Sequence, residues 1–321
     1  MKINVKETGK KMLKEQPVLL LFLVFIIMMI ISKPSFVTMK NIKNILIDVS
    51  IYGVSALAMT IAIITGAFDL SLSSNFAWAQ IFFCYLLKAF ENSPVCIPAA
   101  MILTILSCML IGSFNGTIVV LCKIPAFIVT MATMIMVKGI CLVFTGGNMM
   151  STSNPFIKAM GKGTFLGLSY LTYIFIAIIF IAYFVMKYTR FGRNLYATGG
   201  NYKVAELSGI NVKFCKFSIF VILGMAAGVS GIMFVCLMRA GSVLYGTDLA
   251  LTCVAATVVG GTPLTGGKGS VLRTVLGILL IYVLYKGLAF LGLQGYFNTM
   301  IRGIVLLLVV SIDAYMNRNA R

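Results

Sequence analysis

The chain has 321 residues, 60% of them hydrophobic and only 11% charged, with a mean hydropathy of +1.03 and a formal net charge of +18. Soluble domains carry about 25% charged residues, so this composition excludes a water-soluble globular protein. Histidine is absent, which removes Ser-His and Cys-His catalysis and any HExxH zinc site.

Apolar runs recur at lengths near the ~20 residues that a helix needs to cross a bilayer. In lipid only helices and closed barrels satisfy every backbone group, and barrel strands would read as alternating segments of roughly ten residues. The expected fold is all-α: a polytopic membrane helical bundle of about ten transmembrane helices, two of its segments interrupted, in a single domain over 1–321. The eight cysteines are scattered mostly through apolar runs without CxxC spacing. They read as small buried hydrophobes, and no metal site is expected. The positive charge belongs to cytoplasmic loops; no nucleic-acid partner is expected, because the basic patches lack interleaved aromatics.

The first sixteen residues form a basic cytoplasmic N-terminus with Lys2, Lys6, Lys10, Lys11 and Lys14, followed by the apolar run 18–31. No small-residue cleavage site follows, so this is a first span with its N-terminus inside. Further spans are expected at 45–67, 70–88, 95–121, 125–145, 169–187, 217–238, 250–261, 271–290 and 300–316, with 70–88 and 250–261 short or polar. Starting inside, ten spans place the basic loop 188–216 inside and the loop 146–168, with only Lys158 and Lys162, outside. The chain then ends inside with Arg318 and Arg321. Lys33, Lys40 and Lys43 would lie outside, against the positive-inside trend. Lys138, Lys286 and Arg302 fall within or near spans and are read as snorkelling to the interface.

Gly112-xxx-Gly116 and Gly224-xxx-Gly228 have the spacing for close helix approach in lipid. Gly228-Val-Ser230-Gly231 matches the nucleophile motif of intramembrane serine proteases, but without histidine it reads as helix packing.

Two apolar segments are broken by small and polar residues: Thr65–Asn75 and Gly260–Ser270. Paired interruptions point to a transport pathway, since irregular backbone at membrane depth is tolerated only against protein or water. The pathway candidates are Asp69, Ser71, Ser73 and Asn75 in the first, and Gly260, Gly261, Thr262, Gly266 and Gly267 in the second. Asp69 either orients a hydroxylated cargo or caps the helix after it. The second stretch fails the phosphate-loop pattern at Thr262 and Gly269, so no cofactor is expected in this chain. In the loop 188–216, Asn201 is a strong N-cap and Gly209 a strong stop around a short helix over 202–208, with Gly199 and Gly200 turning the chain into it. Two turns are marginal alone, which suits a surface that docks a soluble partner.

Four motifs together resemble the ribose-type permease subunits of ABC importers: TGAFDLSLSS at 65–74, PAFIVTMATMIMVKGI at 125–140, TRFGRNLYATGGNYKVAELSGINV at 189–212 and VVGGTPLTGGKGS at 258–270. The resemblance implies a permease for a monosaccharide in a prokaryotic cell membrane, with both termini cytoplasmic. It implies as partners an ABC ATPase that carries the ATP and Mg, an extracytoplasmic sugar-binding protein and a second permease subunit. The family's coupling element for the ATPase falls on Gly199, Gly200, Asn201, Ala205, Glu206, Leu207, Ser208 and Gly209. The chain departs from the family at Ala67 and Ser73, where glycines are common, and at Ala250 and Thr252, where many members carry an acidic pair; Asp248 stands two positions earlier. These departures leave the cargo open to nucleosides or branched-chain amino acids. The rivals are a cation-coupled secondary transporter working through Asp69, and a membrane-embedded enzyme.

Overall fold

The structure is a computed structural model that describes residues 33–90 and 93–292 continuously, with 26, 27, 29–31, 296, 297, 300, 303, 304, 307 and 311 beside them. The expected first and last spans, with Arg302 and the charged termini, fall largely outside the described residues.

Eleven helices can be followed through the described residues. They are α1 (Met39–Ile64), α2 (Leu72–Ala89), α3 (Ile97–Leu121), α4 (Ala126–Thr145), α5 (Pro155–Lys162), α6 (Tyr170–Tyr188), α7 (Arg190–Gly200), α8 (Tyr202–Leu207), α9 (Val212–Met238), α10 (Leu249–Val259) and α11 (Val271–Phe290). Six of them, α1, α3, α4, α6, α9 and α11, are long and apolar enough to cross a membrane. The chain is thus a multi-pass helical membrane protein, as its composition requires. α1 begins at Met39 and α9 at Val212, five or six residues ahead of the expected starts. Those first turns hold Lys40, Asn41, Lys43, Lys213 and Lys216, which extend a helix past the apolar run that hydropathy detects.

α1 and α9 form the centre. In their most apolar stretches 83% and 78% of residues are buried, against 28%, 28% and 22% for α3, α4 and α6 at the rim. The difference follows from side-chain size. Lipid tails are as apolar as leucine, so helices associate in membranes through close packing and hydrogen bonds rather than through hydrophobic burial. α1 supplies Gly53, Ser55, Ala56, Ala58, Thr60 and Ala62, and α9 supplies Gly224, Ala226, Ala227, Gly228, Ser230 and Gly231. The rim helices turn Ile128, Ile135, Ile140, Val143, Phe180, Ile181 and Phe184 outward.

The two Gly-xxx-Gly pairs face each other, as the spacing predicts. A Cβ on Gly112 would collide with the Phe220 carbonyl, one on Gly224 with the Cys108 carbonyl, and one on Gly228 would lie 3.0 Å from the Cα of Ile105. α3 and α9 therefore touch backbone to backbone. Hydroxyl pairs fasten α1 to its neighbours: Ser55–Ser230 at 2.7 Å, Thr60–Thr257 at 2.9 Å, Thr60–Thr274 at 2.6 Å, and Ser50 to Thr172 at 3.3 Å. Ser230 is thus a packing residue, and Gly231 beside it lets α2 approach, its Cβ position 3.1 Å from the Phe76 carbonyl.

Lys286 does not snorkel. Its ammonium lies 2.6 Å from the Asp48 carboxylate, joining α11 to α1, with the side chains 33% and 18% exposed. Two oppositely charged groups held within the bundle neutralise each other more cheaply than either reaches the interface alone. Lys286→Met leaves Asp48 unpaired and should cost roughly 2–3 kcal/mol, somewhat below the figure for breaking a fully buried pair. Thermal denaturation in detergent should show that loss, and Asp48→Asn with Lys286→Met should recover most of it.

At the end of the bundle opposite Ile64, two short antiparallel pairings close the loops: Met150–Ser151 with Ala240–Gly241, and Thr164–Phe165 with Leu168–Ser169. Between them α5 is capped by Asn154, whose side chain accepts from the N–H groups of Phe156 and Ile157.

Candidate functional site

The first interruption is a turn with a fixed interior. α1 ends at Ile64, Gly66 adopts φ +78°, and Asp69 folds back on the chain. Its Oδ1 accepts from the Ser71 N–H at 2.7 Å and from the Ser71 hydroxyl at 2.6 Å. Asn115 on α3 donates to Ser71 Oγ at 2.8 Å, and Thr133 on α4 donates to Asn115 Oδ1 at 2.6 Å. The Leu70 N–H is taken by Thr130 Oγ1 at 3.2 Å. Asp69, 2% exposed, therefore closes a turn on Ser71, the N-cap residue of α2, and begins a buried polar chain through three helices. Of its two sequence readings, the geometry favours holding the start of α2, with Ser71 rather than Asp69 at the cap position. Asn75 also points inward, donating to the Cys108 carbonyl at 3.1 Å.

The second glycine-rich stretch lies against that same turn. The Gly267 N–H donates to the Ile64 carbonyl at 2.7 Å. A Cβ on Gly266 would sit 3.0 Å from the Gly66 nitrogen, and one on Gly267 2.9 Å from the Gly200 Cα. Gly261, Gly266 and Gly267 all have positive φ, a conformation that favours glycine. A Cβ on Gly260 would lie 2.7 Å from the Arg273 carbonyl, so that residue seats the end of α10 against α11. Thr262 is fully buried beside them.

The third partner at this junction is α7, a helix the sequence reading left as loop. Thr189 caps it, its Oγ1 accepting from the Gly192 N–H at 3.2 Å. Gly199 and Gly200 are its last residues and do not make the turn expected of them; the turn is at Asn201, at φ −158° and ψ 106°. Gly199 serves close approach instead. A Cβ there would collide with the Ile64 carbonyl and lie 2.9 Å from the Gly267 nitrogen. The Tyr196 hydroxyl donates to the Gly269 carbonyl at 3.0 Å, and partial burial pushes its phenol pKa up. Motifs more than sixty residues apart in sequence thus meet backbone to backbone at one end of the bundle.

From this junction α8 projects outward. Asn201 caps it as predicted, accepting from the N–H groups of Lys203 and Val204 at 3.1 and 3.2 Å. Gly209 ends it at φ +80°, while the Ile210 N–H returns to the Ala205 carbonyl at 3.1 Å. The helix covers Tyr202–Leu207, with Ser208 as its C-cap. Ala205 is buried beneath it, whereas Leu207 is 90% exposed and Tyr202, Val204 and Glu206 are exposed beside it.

α10 has only eleven residues, about 16 Å at 1.5 Å per residue, half of a ~30 Å hydrocarbon core. After the short pairing at Ala240–Gly241, the segment 242–248 leads into it without helix or strand. Gly241 would place a Cβ 2.7 Å from the Gln80 backbone, and Gly246 would place one against the Phe76 ring. The chain is therefore irregular on both sides of α10, and only the later stretch was expected. The cues missed were Gly241 and Gly246 followed by Asp248 at the N-cap. The Ala250 N–H then reaches Ser73 Oγ at 2.9 Å, bringing the starts of α2 and α10 together. A cavity of about 300 Å³ opens beside this meeting point, lined by Ser73, Ser74 and Ala77 of α2, Met134, Ile135 and Lys138 of α4, and Val243 and Thr247 of the connector.

Residues 41–310 match the family described as branched-chain amino acid transport system / permease component. The chain belongs to this family. Among the permease's relatives, the ribose import permease of Escherichia coli strain K12 is 33% identical over 308 residues, 95% of each chain. That of Bacillus subtilis strain 168 is 34% identical over 304 residues, 94% of this chain and 93% of its own. The L-arabinose ABC transporter permease of Azospirillum brasilense is 29% identical over 311 residues, 97% of this chain and 90% of its own. No solved structure matches. The ribose-type resemblance carried by the four motifs is thereby borne out.

The permease brings together only part of the expected pathway. Ser73 lines the cavity; Asp69, Ser71 and Asn75 turn away from it toward α3 and α4. Gly266 and Gly267 gather at the junction with Gly199, while Gly260, Gly261 and Thr262 close the end of α10. Ser74, Thr247 and Lys138 join Ser73 without having been singled out for this role.

Proposed function

We propose that this permease is the membrane subunit of an ATP-driven importer, that its cargo is a monosaccharide handed over by a binding protein, and that α8 is where a separate ATPase engages it. The reading rests on one observation above all: α8 stands on the junction where the ends of α1, α7 and the loop before α11 meet, so a push on α8 moves all three together. The exposed Leu207, Val204 and Tyr202 give a partner an apolar surface to grip, and Glu206 adds a charge at its edge. The sugar follows from the relatives named for ribose and L-arabinose import. ATP and Mg belong to the ATPase, and this chain does no covalent chemistry.

In this mechanism ATP binding draws the ATPases together and displaces α8. The backbone contacts at Gly199 and Gly267 leave no slack, so α7 carries the displacement to the C-terminal end of α1 and to the turn before α11. The paired starts of α2 and α10 shift with them, and the cavity between α2 and α4 changes access. A second permease subunit completes the passage. The end bearing α7 and α8 faces the cytoplasm, since it carries Arg190, Arg193, Lys203, Lys213 and Lys216 and is joined there by Lys123 and Lys268. Counted with the spans expected from the sequence at 18–31 and 300–316, both termini fall on that side.

The test is uptake of labelled ribose, arabinose and galactose by proteoliposomes holding the permease with its ATPase and binding protein. The wild type should accumulate one of them only with ATP. Leu207→Asp, or Glu206→Arg at the rim of the same surface, should cut uptake and transport-linked ATP hydrolysis at least tenfold while the variant still inserts. Wild-type uptake that continues without the ATPase would favour the cation-coupled alternative.

A further inference from the structure

Lys138 is the thirteenth of the twenty residues of α4, about 18 Å from its first residue and 10 Å from its last. A charge at that depth is costly unless it faces water or a partner, and an intramembrane ionisable group marks a functional site by default. Among the described residues no carboxylate lies within ion-pair distance of it; the pair formed there is Asp48 with Lys286. Lys138 is exposed, and it lines the cavity of about 300 Å³ together with the hydroxyl-bearing Ser73, Ser74 and Thr247. Asp69, close in sequence to those serines, is engaged by the N–H and hydroxyl of Ser71 and does not line the cavity. The wall therefore carries one full charge, which is positive, and no carboxylate.

Resting on the reading of this cavity as the cargo passage, we propose that Lys138 is a cargo-contacting residue that sets the class of molecule admitted. Its ammonium has three N–H donors and no acceptor; Ser73 Oγ, which accepts from the Ala250 N–H, keeps its proton to give, and Ser74 Oγ, whose proton goes to the Ser71 carbonyl, can accept. Such a wall suits a polyhydroxylated cargo rich in acceptor oxygens, neutral or acidic. An ammonium group would find only neutral hydroxyl acceptors there and would meet a like charge in a site of low dielectric. The cavity thus separates sugars and sugar acids from amino sugars and from amino acids, although the family as a whole is described by amino acid transport.

The experiment compares the wild type with Lys138→Arg, Lys138→Gln and Lys138→Met in the complete transporter, with ribose, arabinose and galactose as labelled probes. Insertion and ATP hydrolysis are monitored alongside. Lys138→Arg should keep at least half of the uptake, while Lys138→Gln and Lys138→Met should lose tenfold or more in rate with hydrolysis retained. Lys138→Glu should be slower still for a neutral sugar. Wild-type uptake with Lys138→Gln and Lys138→Met working at the same rate overturns the role of Lys138 and leaves the sugar reading standing. If the wild type moves none of the three sugars, the reading of the cargo falls first and this inference falls with it.

Discussion

Alanine at Gly199 should destabilise the permease, whereas alanine at Gly200, the next residue, should leave it unchanged or slightly more stable. The contrast comes from what each Cβ would meet. At Gly199 it collides with the Ile64 carbonyl and crowds the Gly267 nitrogen at 2.9 Å; at Gly200 nothing lies within 4 Å. Both residues close a helix, so a helix-propensity gain of up to about 1 kcal/mol is open to each. For Gly199 that gain is outweighed, because the obstruction is backbone and cannot rotate away. Overpacking of this kind costs about 1–3 kcal/mol. If α1 gives way, the Gly267-to-Ile64 hydrogen bond is lost as well, and a buried donor left without its acceptor costs a further ~1–3 kcal/mol. The measurement is the fraction of protein remaining monodisperse after heating in detergent. Equal curves for the two variants would mean that the junction is not tightly packed, and the transmission route through α7 would then lose its basis.

The junction also shows what could and could not be read from the chain. Apolar runs placed the eight helices from α1 to α11 that occupy the expected spans, because exposure to lipid is written directly into local composition. Gly112, Gly116, Gly224 and Gly228 announced a close contact, and the structure pairs them across α3 and α9. Asn201 and Gly209 announced α8, since caps and stops are local chemistry. What was not legible is which distant segments meet. Nothing near Lys286 indicates Asp48, so the lysine read as a snorkeller. Nothing near Gly199 indicates Ile64 and Gly267, so it read as part of a turn rather than a contact. α7 was missed because Arg190, Arg193 and Asn194 dilute its apolar face, leaving only Thr189 as a cue. Lys138 and Ser73 lie sixty-five residues apart, and their shared cavity exists only once α2 and α4 are packed.

Asp69→Asn and Asp69→Ala should part company just as sharply. The carboxylate holds the turn before α2: Oδ1 accepts from the N–H and the hydroxyl of Ser71. Asparagine keeps an acceptor oxygen at that place and gives up only the charge, so the Asn variant should fold and transport at close to the wild-type rate. Alanine leaves the Ser71 N–H and hydroxyl without their acceptor in a site that is 2% exposed, and Asn115 then holds a serine whose orientation is no longer fixed. Each buried group left unsatisfied costs about 1–3 kcal/mol, so the Ala variant should lose most of its folded yield. Asn115→Leu should do comparable damage, because it cuts the links to both Ser71 and Thr133. A cation-coupled carrier using Asp69 removes that contrast in transport, since there the charge is the working part and asparagine would abolish uptake as completely as alanine. Retained uptake in Asp69→Asn would remove that rival and leave standing the proposal that energy enters through α8.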